Sequence, residues 1–347
     1  MVLMTVDHAS LFFNAGRISA DSAGAYVPST PLPLDQFLLR WVTHLCAPTF
    51  LFLAGVSLAL SSARRAERGM TRQAIDRDLL LRGGLIVALD LSYMSVLAQH
   101  LICQVLYAIG LSMIFMVWLR RIADRWLLCL ALAWFVGGEG VTGLVWTPPE
   151  NAHPLAALLV ARYTGPSVLI MYPVVPWCAI MACGWVCGNL LRTRGAAALQ
   201  RALLAAGAAG LAVFGVVRGL SGYGNMWLQR EDDSIQHWLH TSKYPPSLSY
   251  LACELGLMAI CLAALLWLAE RVRVQPRGPL LVLGQTALFY YLAHFALLGI
   301  GRALGVPQGG IPAALSLAAL TLLILYPACL AFRAAKQTRP GTWLRFI

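Results

Sequence analysis

Ten apolar windows follow one another along this 347-residue chain, most of them long enough to cross about 30 Å of hydrocarbon, and they leave no room for a soluble domain. They cover residues 1–15, 37–62, 83–99, 101–119, 126–146, 167–191, 202–220, 248–269, 279–299 and 312–333. The longest segments between them, 16–36, 63–82, 147–166 and 221–247, are short connections. With 59% hydrophobic and 12% charged residues and a mean hydropathy of +0.70, the chain is too apolar for a soluble protein of this size. The expected fold is all-α: a polytopic integral membrane bundle of ten, or eleven, helices forming one domain over 1–347.

Charge placement orients that bundle. With a cytoplasmic N-terminus, loops 63–82, 120–125, 192–201 and 270–278 and the tail from Arg333 are cytoplasmic and hold 19 of the 26 Lys and Arg residues. The other seven are Arg17, Arg40, Arg162, Arg218, Arg230, Lys243 and Arg302, on or near the outer side. This positive-inside division places both termini in the cytoplasm and accounts for the net charge of +11 without a nucleic-acid partner. Clusters such as Arg64, Arg65, Arg68 and Arg72 read as contacts to anionic lipid.

The first window is short before the Gly16 break, which suggests a helix completed by residues upstream of Met1. The nine cysteines all fall within the expected spans and read as small buried hydrophobes, with no metal site. Nucleotide-loop, zincin and serine-hydrolase motifs are absent.

The remaining signal is a layer of ionisable residues inside the apolar windows. Helix rise puts His8, His44, Glu139, Glu254 and His294 each roughly 7 to 12 Å below the outer end of its span, with Asp90 slightly deeper. Such groups are costly one at a time in lipid and tolerable when grouped, so they are expected to surround an outward-opening cavity. Each has a plainer reading. Asp7 can orient or ion-pair with a neighbour, and the histidines can be satisfied buried rings. Glu139, after Gly137 and Gly138, can mark a helix break; Glu254 and Asp90 can be packing partners. His100 and Arg218 suit interfacial anchoring, and His153, His237 and His240 read as solvated loop residues. Arg40 and His44, four apart, share a helix face that continues to Pro48, so the arginine is expected to keep the imidazole neutral, as a general base requires.

Five stretches resemble the heparan-α-glucosaminide N-acetyltransferase catalytic-domain family, polytopic membrane acyltransferases with many bacterial members: MVLMTVDHASLFF, RWVTHLCAPTFLFLAGVSLAL, YPVVPWCAIMACGWVCG from Tyr172, KYPPSLSYL from Lys243, and LGQTALFYYLAH ending at His294. The positions matching the family's polar motifs are Asp7, His8, His44, Lys243, Tyr244 and His294. The chain also departs from the family. Loop 16–36 has no counterpart of the family's outer-loop histidine, Asp7 stands where an asparagine is usual, His44 stands in place of an aspartate, and the Arg-Gly start of the first helix is missing.

The resemblance implies transfer of an acetyl group from cytosolic acetyl-CoA to a sugar amine or hydroxyl of a glycan or glycolipid across a bacterial inner membrane. His44, His8, Asp7 and His294 are the candidate catalytic residues, with His44 slightly favoured over His8 as the base. Arg40, Lys243, Tyr244, Glu254 and Tyr291 are candidates for acceptor binding, and Arg82, Arg192, Arg194 and Arg277 for the phosphates of the acyl-CoA co-substrate. No metal is expected; membrane lipids are partners, and homo-oligomerisation is left open. The alternative from another class is a proton-coupled secondary transporter of a small solute, which would also use intramembrane carboxylates and Pro-interrupted helices.

Overall fold

The computed structural model describes residues 1–338 and is mostly helical, as the apolar windows require. Arg339 and Arg345 of the basic tail lie outside the described residues. The elements in chain order are α1 (Val2–Phe13), α2 (Leu34–Thr43), α3 (Cys46–Glu67), α4 (Arg72–Leu89), α5 (Ser95–Ala98), β1 (Leu101–Cys103), α6 (Val105–Leu119), α7 (Asp124–Gly143) and α8 (Pro154–Leu159). They continue with β2 (Tyr163–Thr164), β3 (Val168–Ile170), α9 (Val174–Leu220), α10 (Ile235–Leu239), α11 (Leu248–Ala269), α12 (Pro279–Gln285), α13 (Ala287–Ala303) and α14 (Ile311–Thr338).

Among the described residues, six helical segments are long and apolar enough to cross a membrane: Leu34–Glu67, Arg72–Ala98, Asp124–Gly143, Val174–Leu220, Leu248–Ala269 and Ile311–Thr338. The pair α12 and α13, bent by 94°, makes a seventh if it counts as one span. The apolar helices α1 and α6 are shorter, at 12 and 15 residues. Two of the expected windows, 167–191 and 202–220, fall on the two halves of α9, which break at Gly195, whose φ of 79° and ψ of 177° interrupt the helical ladder. A break also falls at His44-Leu45, between α2 and α3. Pro48 has no N–H to donate to the carbonyl of His44, so a continuous helix loses a bond at that point.

The chain divides into two compact units. The first comprises Met1–Ile18, Pro31–Cys46 and the segment from Leu268. In it α1 packs on α2, α13 and α14, with Ala9, Phe13, Leu298 and Ala318 at the centre. The end of α1 is tied by a β-like bridge: Ala15 N donates to Gly309 O at 2.9 Å and Gly309 N to Phe13 O at 2.8 Å.

The second unit comprises Ser19–Thr30 and Ala47–Trp267. Its helices meet through small residues, as expected where lipid offers no hydrophobic drive and backbones must approach closely to gain packing. A Cβ on Gly55 of α3 would lie 2.0 Å from the Met181 carbonyl of α9, and one on Gly184 would lie 2.0 Å from that of Phe52. A small three-stranded sheet in the order β1-β3-β2, β1 parallel and β2 antiparallel to β3, is the one departure from the all-α expectation among the described residues. It covers a cluster of Cys103, Tyr107, Trp146, Ile170 and Met226.

Several plainer readings of the polar layer hold here. Asp90 Oδ2 accepts from Gln104 N at 2.7 Å and Tyr107 N at 2.9 Å, capping α6, after a π-helical turn over Asp90–Met94. Glu139 is structural too, but not at the helix break expected for it: α7 runs unbroken, and Glu139 Oε2 accepts from Gly224 N and Met226 N, both at 2.8 Å, holding a turn in which both residues have positive φ. Other readings need correction. Cys103 belongs to a strand, and Cys129 and Cys261 are exposed on their helices, because an apolar face turned to lipid accepts a thiol as readily as a core does. Arg218 is fully buried, where an interfacial anchor was expected. Its guanidinium donates to Asn225 Oδ1 and to the carbonyls of Leu228, Trp238 and His237, stitching the segment after α9 into the unit. His237 and His240, expected in solvent, are buried by the same segment, and His240 Nε2 donates to Ala20 O at 2.7 Å.

Candidate functional site

In the first unit, the ion cluster and the histidine pair grow from adjacent residues of α1. Asp7 Oδ1 accepts from Arg17 Nη2 at 2.8 Å, Arg40 Nη1 at 2.6 Å and Thr43 Oγ1 at 3.1 Å, while Arg17 Nη1 also holds the Asp7 carbonyl. The three ionic side chains are only 9 to 13% exposed, so the pairing operates in a weakly screened setting. Two guanidiniums thus meet at one carboxylate oxygen.

His8 follows Asp7 on the same helix and turns to α13. Its Nδ1 lies 2.7 Å from His294 Nε2, and the rings stack with centroids 5.0 Å apart. His294 is fully buried and reaches back along its own helix, with Nδ1 3.0 Å from the Tyr290 carbonyl. Phe295, 4.2 Å from His8 between ring centroids, and the edge of Tyr291 wall the pair, and the Tyr290 hydroxyl shares a 2.6 Å hydrogen bond with Thr5. His8 itself is half-buried. His44 is buried at the break after α2. Arg40, four residues before His44, donates to Asp7.

In the second unit, the loop entering α11 gathers the other candidates. Lys243 and Glu254 are buried, 3% and 1% exposed, and they interact electrostatically without forming an ion pair. The Lys243 ammonium sits 5.2 Å from the Tyr244 ring centre, and the Tyr244 hydroxyl pairs with that of Tyr172 at 3.3 Å. One carboxylate oxygen of Glu254 lacks a hydrogen-bond partner among the described residues. The backbone N–H of Lys243 is anchored on Asp21 O at 2.8 Å.

A family model, described as heparan-alpha-glucosaminide N-acetyltransferase, catalytic, matches residues 25–217, more than half of the chain. The chain belongs to that family. Its match takes in Arg40, His44 and the α3–α9 crossing; Asp7, His8, Lys243, Tyr244, Glu254, Tyr291 and His294 lie outside it. No curated protein matches the chain. Of the arginines expected to meet donor phosphates, Arg82 is half-buried with Nε lacking a hydrogen-bond partner among the described residues. Arg192 and Arg194 are exposed beside the Gly195 break, and Arg277 is exposed before α12.

Arg17 and Thr43 were not singled out in the sequence. Arg17 lies beyond the end of α1, so no helical spacing links it to Asp7; only the returning chain after Gly16 does. Thr43 adjoins His44 and was legible only as part of the Arg40 turn.

Proposed function

We propose that the protein is a membrane acetyltransferase that takes an acetyl group from cytosolic acetyl-CoA and delivers it to an amine or hydroxyl of an extracytoplasmic glycan or glycolipid in a bacterial inner membrane. Family membership supports the reaction class, and the 2.7 Å contact between His8 and His294 is the observation that carries the chemical assignment. The 19-to-7 division of basic residues supports two cytoplasmic termini. Ten spans result when both halves of α9, the bent α12–α13 pair and the shorter α1 and α6 are each counted as crossings.

A thioester is already activated, so the protein has three tasks: position the acceptor, remove its proton and steady the tetrahedral oxyanion. An imidazole of the first unit takes the proton, or receives the acetyl group transiently as an acyl-imidazole. His8 becomes the preferred base over His44, because its ring has an oriented partner in His294. The guanidiniums of Arg17 and Arg40 are cationic donors of the kind suited to developing oxyanion charge. Lys243, Tyr244, Glu254 and Tyr291 are assigned to acceptor recognition, so their substitution raises KM more than it lowers kcat. Arg82, Arg192, Arg194 and Arg277 are assigned to donor phosphates.

The test is acetyl-CoA binding and slow hydrolysis by purified protein in lipid nanodiscs. Saturable binding and release of free CoA are expected. Absence of both up to about 1 mM, the top of the usual KM range, would overturn the assignment.

A further inference from the structure

The hydrogen-bond chain Tyr290–His294–His8 has a direction. A carbonyl only accepts, so the 3.0 Å contact with Tyr290 O requires the proton of a neutral His294 to sit on Nδ1. His294 Nε2 then carries a lone pair. The 2.7 Å approach of His8 Nδ1 needs a proton between the two nitrogens, and it must come from His8. Its own Nε2 is left with the lone pair. Both rings are thereby held as the Nδ1–H tautomer, which a free histidine side chain does not prefer.

Burial agrees with this direction. His294, at 0% exposure, is enclosed by Tyr290, Tyr291 and Phe295, whereas the half-buried His8 is the ring that a substrate can meet. Charged and titratable groups near the pair include Tyr290 and Tyr291 on α13, the Met1 amino group, and Asp7 beside His8, which holds Arg17 and Arg40. Cys329 of α14 faces Tyr290, and toward Ala9 and Phe13 α14 offers apolar Leu317 and Ala318. Arg17, Arg40 and Thr43 take up Asp7 Oδ1.

We propose that His8 Nε2 is the proton-accepting atom of the transfer and that His294 is a positioning residue fixing its tautomer and ring orientation. The chemistry rests on the acetyltransferase reading; the tautomers do not. As the acceptor oxygen or nitrogen bonds to the acetyl carbon, its proton moves to His8 Nε2, and the hydrogen bond through His8 Nδ1 to His294 steadies the imidazolium. Collapse of the tetrahedral adduct breaks the carbon–sulfur bond, and the proton passes from His8 to the departing thiolate. The step consumes only acceptor and thioester, and leaves acetylated acceptor and free thiol.

The test is ¹⁵N NMR of the full chain, histidine-labelled and in lipid nanodiscs, with resonances assigned through His8→Gln and His294→Gln. At a pH where both rings are neutral, Nδ1 should be protonated and Nε2 bare in each. A proton on Nε2 of either ring overturns the relay even if the protein transfers acetyl groups. The predicted tautomers without any acetyl transfer would instead remove the acetyltransferase reading and leave the hydrogen-bond chain standing. In active protein, His294→Ala should lower kcat about 10²-fold with little change in KM, and His294→Gln, whose amide oxygen can still accept from His8 Nδ1, should recover most of it. Equal activity of wild type and His294→Ala would remove the positioning role.

Discussion

Arg40 donates to Asp7 Oδ1 at 2.6 Å, so a guanidinium one helical turn from His44 holds the carboxylate beside His8. The two arginines and Asp7 form a weakly exposed ionic set whose members depend on one another. Asp7→Asn should lower stability by about 3–5 kcal/mol, because it leaves two buried cations without their counter-ion. Thermal unfolding in detergent reads this directly. Partial restoration by adding Arg40→Met is expected, because Arg17 stays without Asp7, and an unchanged midpoint in Asp7→Asn alone would show that the set contributes nothing.

Close helix crossing gives a second prediction. Gly55→Val places carbon atoms where the Met181 carbonyl now sits, 2.0 Å from an ideal Cβ, so α3 and α9 must separate. The cost should exceed the roughly 1–3 kcal/mol of ordinary overpacking and appear as aggregated protein on size-exclusion chromatography. Gly84→Ala, with nothing within 4 Å of its added carbon, should behave like wild type or gain slightly. Equal behaviour of the two variants would be inconsistent with the tight crossing.

How legible was this in the sequence? The apolar windows located nearly every long helix, because spanning a membrane forces a composition that no other context requires. Termini were less legible. The Gly195 break was legible, since it falls in the 192–201 connection between two windows, whereas the short strand at Leu101–Cys103 reads as apolar helix by composition alone. For the site, the recurrence of His8 and His294 at one depth pointed to their meeting. The pairing of Arg40 was not visible, since an i,i+4 neighbour on the same helix competes with a carboxylate on another helix that only the fold brings close. Arg218, His237 and His240 were missed for a related reason. A polar loop is expected in water, and here the loop folds back and buries its own polar groups with backbone partners.

The loop cluster carries a pH dependence. Burial holds the His240 imidazole below its ordinary range, with His237 and Arg218 acting in the same direction and the Ala20 carbonyl and Asp21 opposing. His240 is thus neutral when folded, while the unfolded chain takes up its proton first as pH falls. Its contribution to stability is complete above the ordinary histidine value near 6.5 and is lost as pH falls below it, toward the lowered folded value. The unfolding midpoint should decline on acidification and decline less in His240→Gln. Equal slopes for the two proteins would exclude His240 as a source.

Orientation is tested by labelling. A cysteine placed at Ser29, in a loop assigned to the outer side, should react with an impermeant maleimide on intact cells, in a background whose native cysteines have been replaced. Reaction only after membrane rupture would reverse the topology.

The central claim is acetyl transfer dependent on His8, and mass spectrometry of cell-envelope glycans from isogenic cells tests it most directly. Cells expressing the wild-type protein should carry an acetyl mass on one envelope glycan or glycolipid that is missing both from cells lacking the gene and from cells expressing His8→Ala at equal membrane abundance. Glycans that carry the same acetylation in all three would contradict the account.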